Sequence, residues 1–219
     1  PMLFNSFVFL IFALFFYAIW NCLGDRKNLR WAFLTAASFL FYGWWDWRFL
    51  FLILASGLLD FYAGKLMRAK PKWRKSCLFV SVLGNVGSLA LFKYLFFLTE
   101  NANGLLQLLG CESTIPVIKL TLPVGISFYT FQSMSYTIDI YRGELEPTDN
   151  VLHFFSFLAM FPQLVAGPII RAADLLPQLK ELKDPTREQL WVGLRLVTHG
   201  YFKKVVIADN LAPIVNSAF

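Results

Sequence analysis

The chain has 219 residues, of which 57% are hydrophobic and only 16% charged, against about 45–50% apolar in an average soluble domain. So few charges cannot clothe a globular surface of this size, which sets aside a soluble α-helical domain. The formal net charge of +6 does not point to nucleic acid, because the cations gather in short loops between apolar runs, as they do in the cytoplasmic loops of membrane proteins. Cys22, Cys77 and Cys111 show no metal-type spacing and no disulfide framework, and no metal site is expected.

In chain order, residues 3–20 form an apolar run long enough to span a bilayer as a helix. Its start lacks the charged region and cleavage site of a removable signal peptide, so it is expected to stay as a span. A second span is expected over 31–45 and a third over 49–64, with only Asp46-Trp47-Arg48 between them. Trp44, Trp45 and Trp47 suit a lipid headgroup boundary. The loop KLMRAKPKWRK at 65–75 holds six cations and no acid. It lies on the same side as the basic loop after the first span, which predicts that both face the cytoplasm with the N-terminus outside. A fourth span is expected over 76–98, with Lys93 snorkelling to the interface, and 100–119 then falls outside.

The fifth expected span, 122–141, differs in kind. Tyr129, Gln132, Tyr136 and Asp139 recur at three- and four-residue steps and so share one helical face. Ser133 lies beside them. Polar groups facing hydrocarbon are costly, so this face looks into protein or water. It either holds a bundle together by interhelical hydrogen bonds or faces a substrate. Asp139 and Arg142, three residues apart, are expected to pair at the inner helix end.

Residues 157–171 read FLAMFPQLVAGPIIR. Pro162 and Pro168 interrupt an otherwise greasy run, which predicts a broken or re-entrant segment over 151–170 or, failing that, a proline-kinked span. Charge bookkeeping favours the broken path, because it keeps the cations of 171–189 on the cytoplasmic side. That stretch carries Leu175, Leu176, Leu179 and Leu182 on one apolar face and is expected to be an interfacial helix. A last apolar run, 190–219, is split by Lys203-Lys204 and by Asp209 and reads as one tilted span or two shorter helices. The fold class is therefore all-α, a polytopic transmembrane bundle forming one domain. His153 and His199 have no partner at metal spacing, and no nucleophile elbow or phosphate loop occurs. The residues by themselves indicate a polar interior path and no reaction.

LPVGISFYTFQSMSYTIDIYRG (122–143), FPQLVAGPIIR (161–171) and GYFKKVVIADNLA (200–212) together resemble the membrane-bound O-acyltransferase family, in its alginate O-acetyltransferase-like branch. SFLFYGWWDWRFL (38–50) and ALFKYLFF (90–97) fit the same branch. The resemblance implies an inner-membrane enzyme that acetylates an exported polysaccharide. The acyl group would come from acetyl-CoA or an acyl carrier on the cytoplasmic side, and the partners would be the lipid bilayer and extracytoplasmic acetylation proteins. It implies no bound cofactor. The family's catalytic histidine sits in a W-H-G motif that does not occur here, so the chain is expected to be an N-terminal portion, inactive alone, and neither histidine inherits the role. Gln132, Tyr136, Pro162, Gln163 and Arg171 are expected to line or support a tunnel. The alternative is a transporter or structural subunit of a polysaccharide-export complex, since broken helices also mark transport sites.

Overall fold

A computed structural model describes residues 2–110, 115–116, 120–164 and 167–218. Cys111, part of the 100–119 loop and residues 165–166 of the broken segment lie outside the described residues. Every element among the described residues is helical. Two stretches, Lys27–Ala69 and Pro71–Leu108, are long and apolar enough to cross a membrane.

The helices fall into two compact groups, residues 25–180 and residues 1–24 with 181–219. In the first group, α2 (Lys27–Asp46) and α3 (Leu50–Ala69) are joined by a 3₁₀ turn over Trp47–Phe49. The turn is set by Asp46, whose extended backbone (φ −159°, ψ 107°) ends α2 and whose carboxylate accepts from the Arg48 amide at 3.0 Å. Both helices run past the expected spans 31–45 and 49–64, α2 at its start and α3 at its end, into the polar stretches Lys27–Arg30 and Lys65–Ala69. The fourth helix, α4 (Arg74–Leu108), is 35 residues long rather than the 23 expected from 76–98. Asn101, Asn103 and Gly104 resemble loop residues in sequence, yet the helix continues through them, and the Asn101 side chain donates back to the Phe97 carbonyl at 2.7 Å.

The fifth helix, α5 (Ile126–Arg142), starts later than expected, after Pro123 and Gly125. Gly125 has φ +77°, and a Cβ there would lie 2.6 Å from the Leu164 carbonyl oxygen, so only glycine permits this approach. Gly143, also left-handed, closes the far end, and the Glu144 amide donates to Asp139 O at 2.9 Å.

The broken segment is two helices, α6 (Val151–Leu158) and the four-residue α7 (Phe161–Leu164). A helix carried from 158 into 162 would set the Pro162 ring against the Leu158 carbonyl and leave that carbonyl unbonded. The chain breaks at Ala159–Met160 instead, and Pro162 falls in the first turn of α7, where its missing N–H costs nothing. Asn150 caps α6, accepting from the Leu152 and His153 amides at 2.8 and 3.3 Å. The last helix of this group, α8 (Ala172–Glu181), buries Leu175, Leu176 and Leu179 within the protein. Leu182 lies beyond its end at φ +43°. The leucine face predicted to lie at an interface is held by protein, since Trp31 Nε1 donates to the Leu179 carbonyl at 2.8 Å.

In the second group, α1 (Phe7–Cys22) is capped by Ser6, which accepts from Phe9 N at 3.2 Å. A capping box of Thr186 and Gln189 opens α9 (Arg187–Tyr201). The run then passes through π-helical turns over Phe202–Ala208 into α10 (Asp209–Ala218) without a loop. Lys203 and Lys204 therefore do not divide it, and Lys204 pairs with Asp209 across the π turns. The Tyr201 hydroxyl donates to the Phe4 carbonyl.

Candidate functional site

The α5 stripe predicted from spacing is buried, with Tyr129, Gln132, Tyr136 and Asp139 all at 2% exposure or less. Most of its polar atoms are spent on the broken segment and the chain beside it. Gln132 Nε2 donates to the Phe157 carbonyl at 2.8 Å, satisfying the end of α6, whose last carbonyls have no partner within the helix. Ser135 Oγ accepts from the Ala172 amide at 3.1 Å, and Asp139 Oδ2 accepts from the Ala173 amide at 3.2 Å. These two amides open α8, where a carboxylate also complements the positive helix end. One helix thus grips the chain on both sides of the break. Tyr136 OH accepts from Thr148 N at 3.2 Å, and its ring meets Phe154 edge-on with centroids 4.7 Å apart.

Arg171 bridges two carboxylates, donating to Asp139 and to Glu144. The side-chain bonds from both carboxylates push its already high pKa further up. This corrects the expected pairing of Asp139 with Arg142. Arg142 is exposed and makes no ion pair among the described residues, because Arg171 reaches Asp139 from the α8 side, where the carboxylate already points to cap that helix. Gln163 Nε2 donates to the Pro168 carbonyl at 2.7 Å, while its own carbonyl accepts from Gly167 N at 2.9 Å. It thereby ties α7 to Gly167 and Pro168 with its own hydrogen bonds. Pro162 is exposed.

His153 is 6% exposed and packs against Trp31, with ring centroids 4.6 Å apart and the rings tilted by 31°. Its Nε2 faces the Leu176 carbonyl at 3.0 Å, which can only accept, so Nε2 carries the proton and Nδ1 accepts from the Thr148 hydroxyl at 3.0 Å. Both nitrogens are occupied, Nε2 joining α6 to α8 and Nδ1 tying α6 to the loop ahead of it, which suits a structural histidine. His199 is exposed on α9. No group of three or more metal-ligating side chains occurs among the described residues.

Sequence reasoning passed over a second polar cluster. Asp60 on α3, Ser81 and Asn85 on α4, and Ser133 and Thr137 on α5 are each 0% exposed. Ser81 Oγ lies 2.6 Å from Asp60 Oδ1 and 2.8 Å from Thr137 Oγ1, Asn85 Nδ2 lies 2.8 Å from Asp60 Oδ2, and Ser133 also bonds that oxygen. The signal was present in the sequence. A lone acid interrupts an apolar 20-residue helix, and Ser81/Asn85 and Ser133/Thr137 are both four-residue pairs that share a face. Two buried hydroxyls at the start of α5, Tyr129 OH and Thr130 Oγ1, have no hydrogen-bond partner among the described residues.

Over its whole length the chain is similar to bacterial polysaccharide O-acetyltransferases. It is 36% identical, over 98% of its residues, to a protein of Azotobacter vinelandii named "Probable alginate O-acetylase AlgI", of which it covers 43%. It is 37% identical to the protein of that name in Pseudomonas putida, with all of this chain and 45% of that protein aligned. A "Peptidoglycan O-acetyltransferase" of Helicobacter pylori is 29% identical over the full chain and is covered to 46%. The likeness agrees with the resemblance that its motifs carry, and the chain spans under half the length of these curated relatives. No profile of a known protein family matches it, and no solved structure does.

Proposed function

We propose that the protein containing this chain is a membrane O-acetyltransferase that places acetyl groups on an exported polysaccharide of the alginate type. The observation that carries the reading is the likeness to alginate O-acetylases at 35–37% identity along essentially every residue of the chain. The acyl group comes from a cytoplasmic thioester, acetyl-CoA or an acyl carrier. A charged thioester of that size does not cross a bilayer, so its acyl group is relayed through protein to extracytoplasmic partners.

In this reading the chain lies in the bacterial inner membrane as a polytopic bundle, with its basic loops cytoplasmic. Supporting this, apolar side chains are displayed along α4, where Phe79, Leu83 and Leu91 are all more than half exposed. Such a surface is costly in water and at home in lipid. Gln132, Tyr136, Gln163 and Arg171 support the acyl path by fixing the broken segment, and Pro162 supports it by setting the break. The buried hydroxyls of Tyr129 and Thr130, unpartnered among the described residues, leave polar capacity beside it.

The test is complementation in a strain deleted for the gene, reading acetyl content of the exported polymer and protein level together. The intact protein restores acetylation. Gln163→Leu lowers acetylation more than it lowers protein level. Unacetylated polymer despite normal amounts of intact protein would overturn the proposal.

A further inference from the structure

Asp60 is a buried carboxyl with no cation beside it among the described residues. Its contacts among the described residues are the Ser81 and Ser133 hydroxyls and the Asn85 amide. Counting hydrogens decides its state. Asp60 Oδ1, Ser81 Oγ, Thr137 Oγ1 and the Met134 carbonyl form a row of four oxygens separated by 2.6, 2.8 and 3.1 Å. Three contacts need three hydrogens, and the Met134 carbonyl has none. Ser81 and Thr137 supply one each, so the third belongs to the carboxyl. The other carboxyl oxygen, Oδ2, already accepts from Ser133 and Asn85. Asn85 must turn its NH₂ inward, because both neighbours of that nitrogen, Asp60 Oδ2 and the Ser81 carbonyl at 3.0 Å, are acceptors. Its Oδ1 is left without a partner as a result.

We infer that Asp60 is a proton-binding site: a neutral carboxylic acid, protonated on Oδ1, that donates to Ser81 and heads a one-way chain of hydrogen bonds from α3 through α4 to α5. Removing the proton leaves a full charge in a layer with no counter-charge and leaves one of the three contacts without its hydrogen. A small cation in its place would need to sit between the oxygens, but Oδ1 touches Ser81 and Oδ2 touches Ser133 directly. The proton is thus what lets three helices meet on an acid. The inference is independent of the acetylation proposal.

Infrared difference spectroscopy on the protein expressed from its own gene and purified in detergent reads the site directly. At pH 8 the wild type shows the carbonyl stretch of a protonated carboxyl, which moves on exchange into D₂O and is lost in Asp60→Asn. Thr137→Val, which shortens the chain but keeps the shape, shifts the same band, so the assignment stands even where an Asp60 variant folds poorly. Asp60→Asn, which can still donate to Ser81, melts close to wild type, whereas Asp60→Ala melts well below it. Absence of the band at pH 8 would overturn the inference. So would an Asp60-dependent rise in melting temperature on adding sodium or potassium, which would make a cation the occupant.

Discussion

Arg171 shows how one side chain can settle where a helix begins. Its guanidinium joins Asp139 of α5 to Glu144 just beyond, and the same Asp139 receives the Ala173 amide in the first turn of α8. Replacing Arg171 by Ala leaves Asp139, with a side chain only 2% exposed, without its cation, and strands a buried charge. Thermal melting of the protein in detergent should therefore fall by several degrees in Arg171→Ala and hardly at all in Arg142→Ala. Equal losses would return Arg142 to the pair. Gln132→Leu removes the donor to a buried Phe157 carbonyl, for which a cost of about 1–3 kcal/mol is expected, measurable as a lower denaturation midpoint. On the polar side, Arg68 beside Asp149 holds that carboxyl below its usual range. The folded value lies below the unfolded one of about 3.9, so the stabilisation is present above it and fades as pH falls through the folded value. The effect is modest because both groups are well exposed. Asp149→Asn should lower the melting temperature slightly at neutral pH and leave it unchanged below the folded value, which flattens the acid limb of a melting-temperature profile.

At the scale of elements, the helices meet where side chains are smallest. A Cβ on Gly64 of α3 would stand 2.8 Å from both Tyr136 and Ile140 of α5. Gly64→Leu should push α3 from α5 and lower stability by about 1–3 kcal/mol, the usual cost of overpacking, as read in the same melting assay. Retained stability would mean that the two helices part freely here. The elements were legible in the sequence where periodicity was unbroken. The polar face of α5 and the interruption around Pro162 both follow from spacing and from proline's missing N–H. Helix ends were less legible. Asn101 and Gly104 looked like a loop, but their neighbours' hydrogen bonds carried α4 onward. Partners were the least legible, because the Asp139–Arg142 spacing is local while Arg171 arrives from 32 residues away. Asp60 was missed because its meaning lies in two pairs on other helices, which no single window of sequence contains.

At the scale of the whole molecule, surface chemistry makes the largest demand. Large apolar side chains are exposed from Phe7 in α1 to Val215 in α10. Membranes from cells expressing the protein should retain it through alkaline carbonate washing and release it only to detergent. Release by carbonate alone would exclude the polytopic reading. Helix α4, at about 1.5 Å per residue, is about 52 Å long over its 35 residues. That exceeds a hydrocarbon core of about 30 Å, so in the proposed membrane setting the polar last third of α4 would lie in the headgroups and beyond.

The grip of α5 on both sides of the break also has a mechanical meaning. Gln132, Ser135 and Asp139 work as three teeth on one shaft, engaging the end of α6 and the start of α8 together. A single residue inserted in α5 ahead of Gln132 would turn that shaft by about 100° and disengage every tooth at once. The end of α6 and the start of α8 thus depend on a single register, that of α5, rather than on each other.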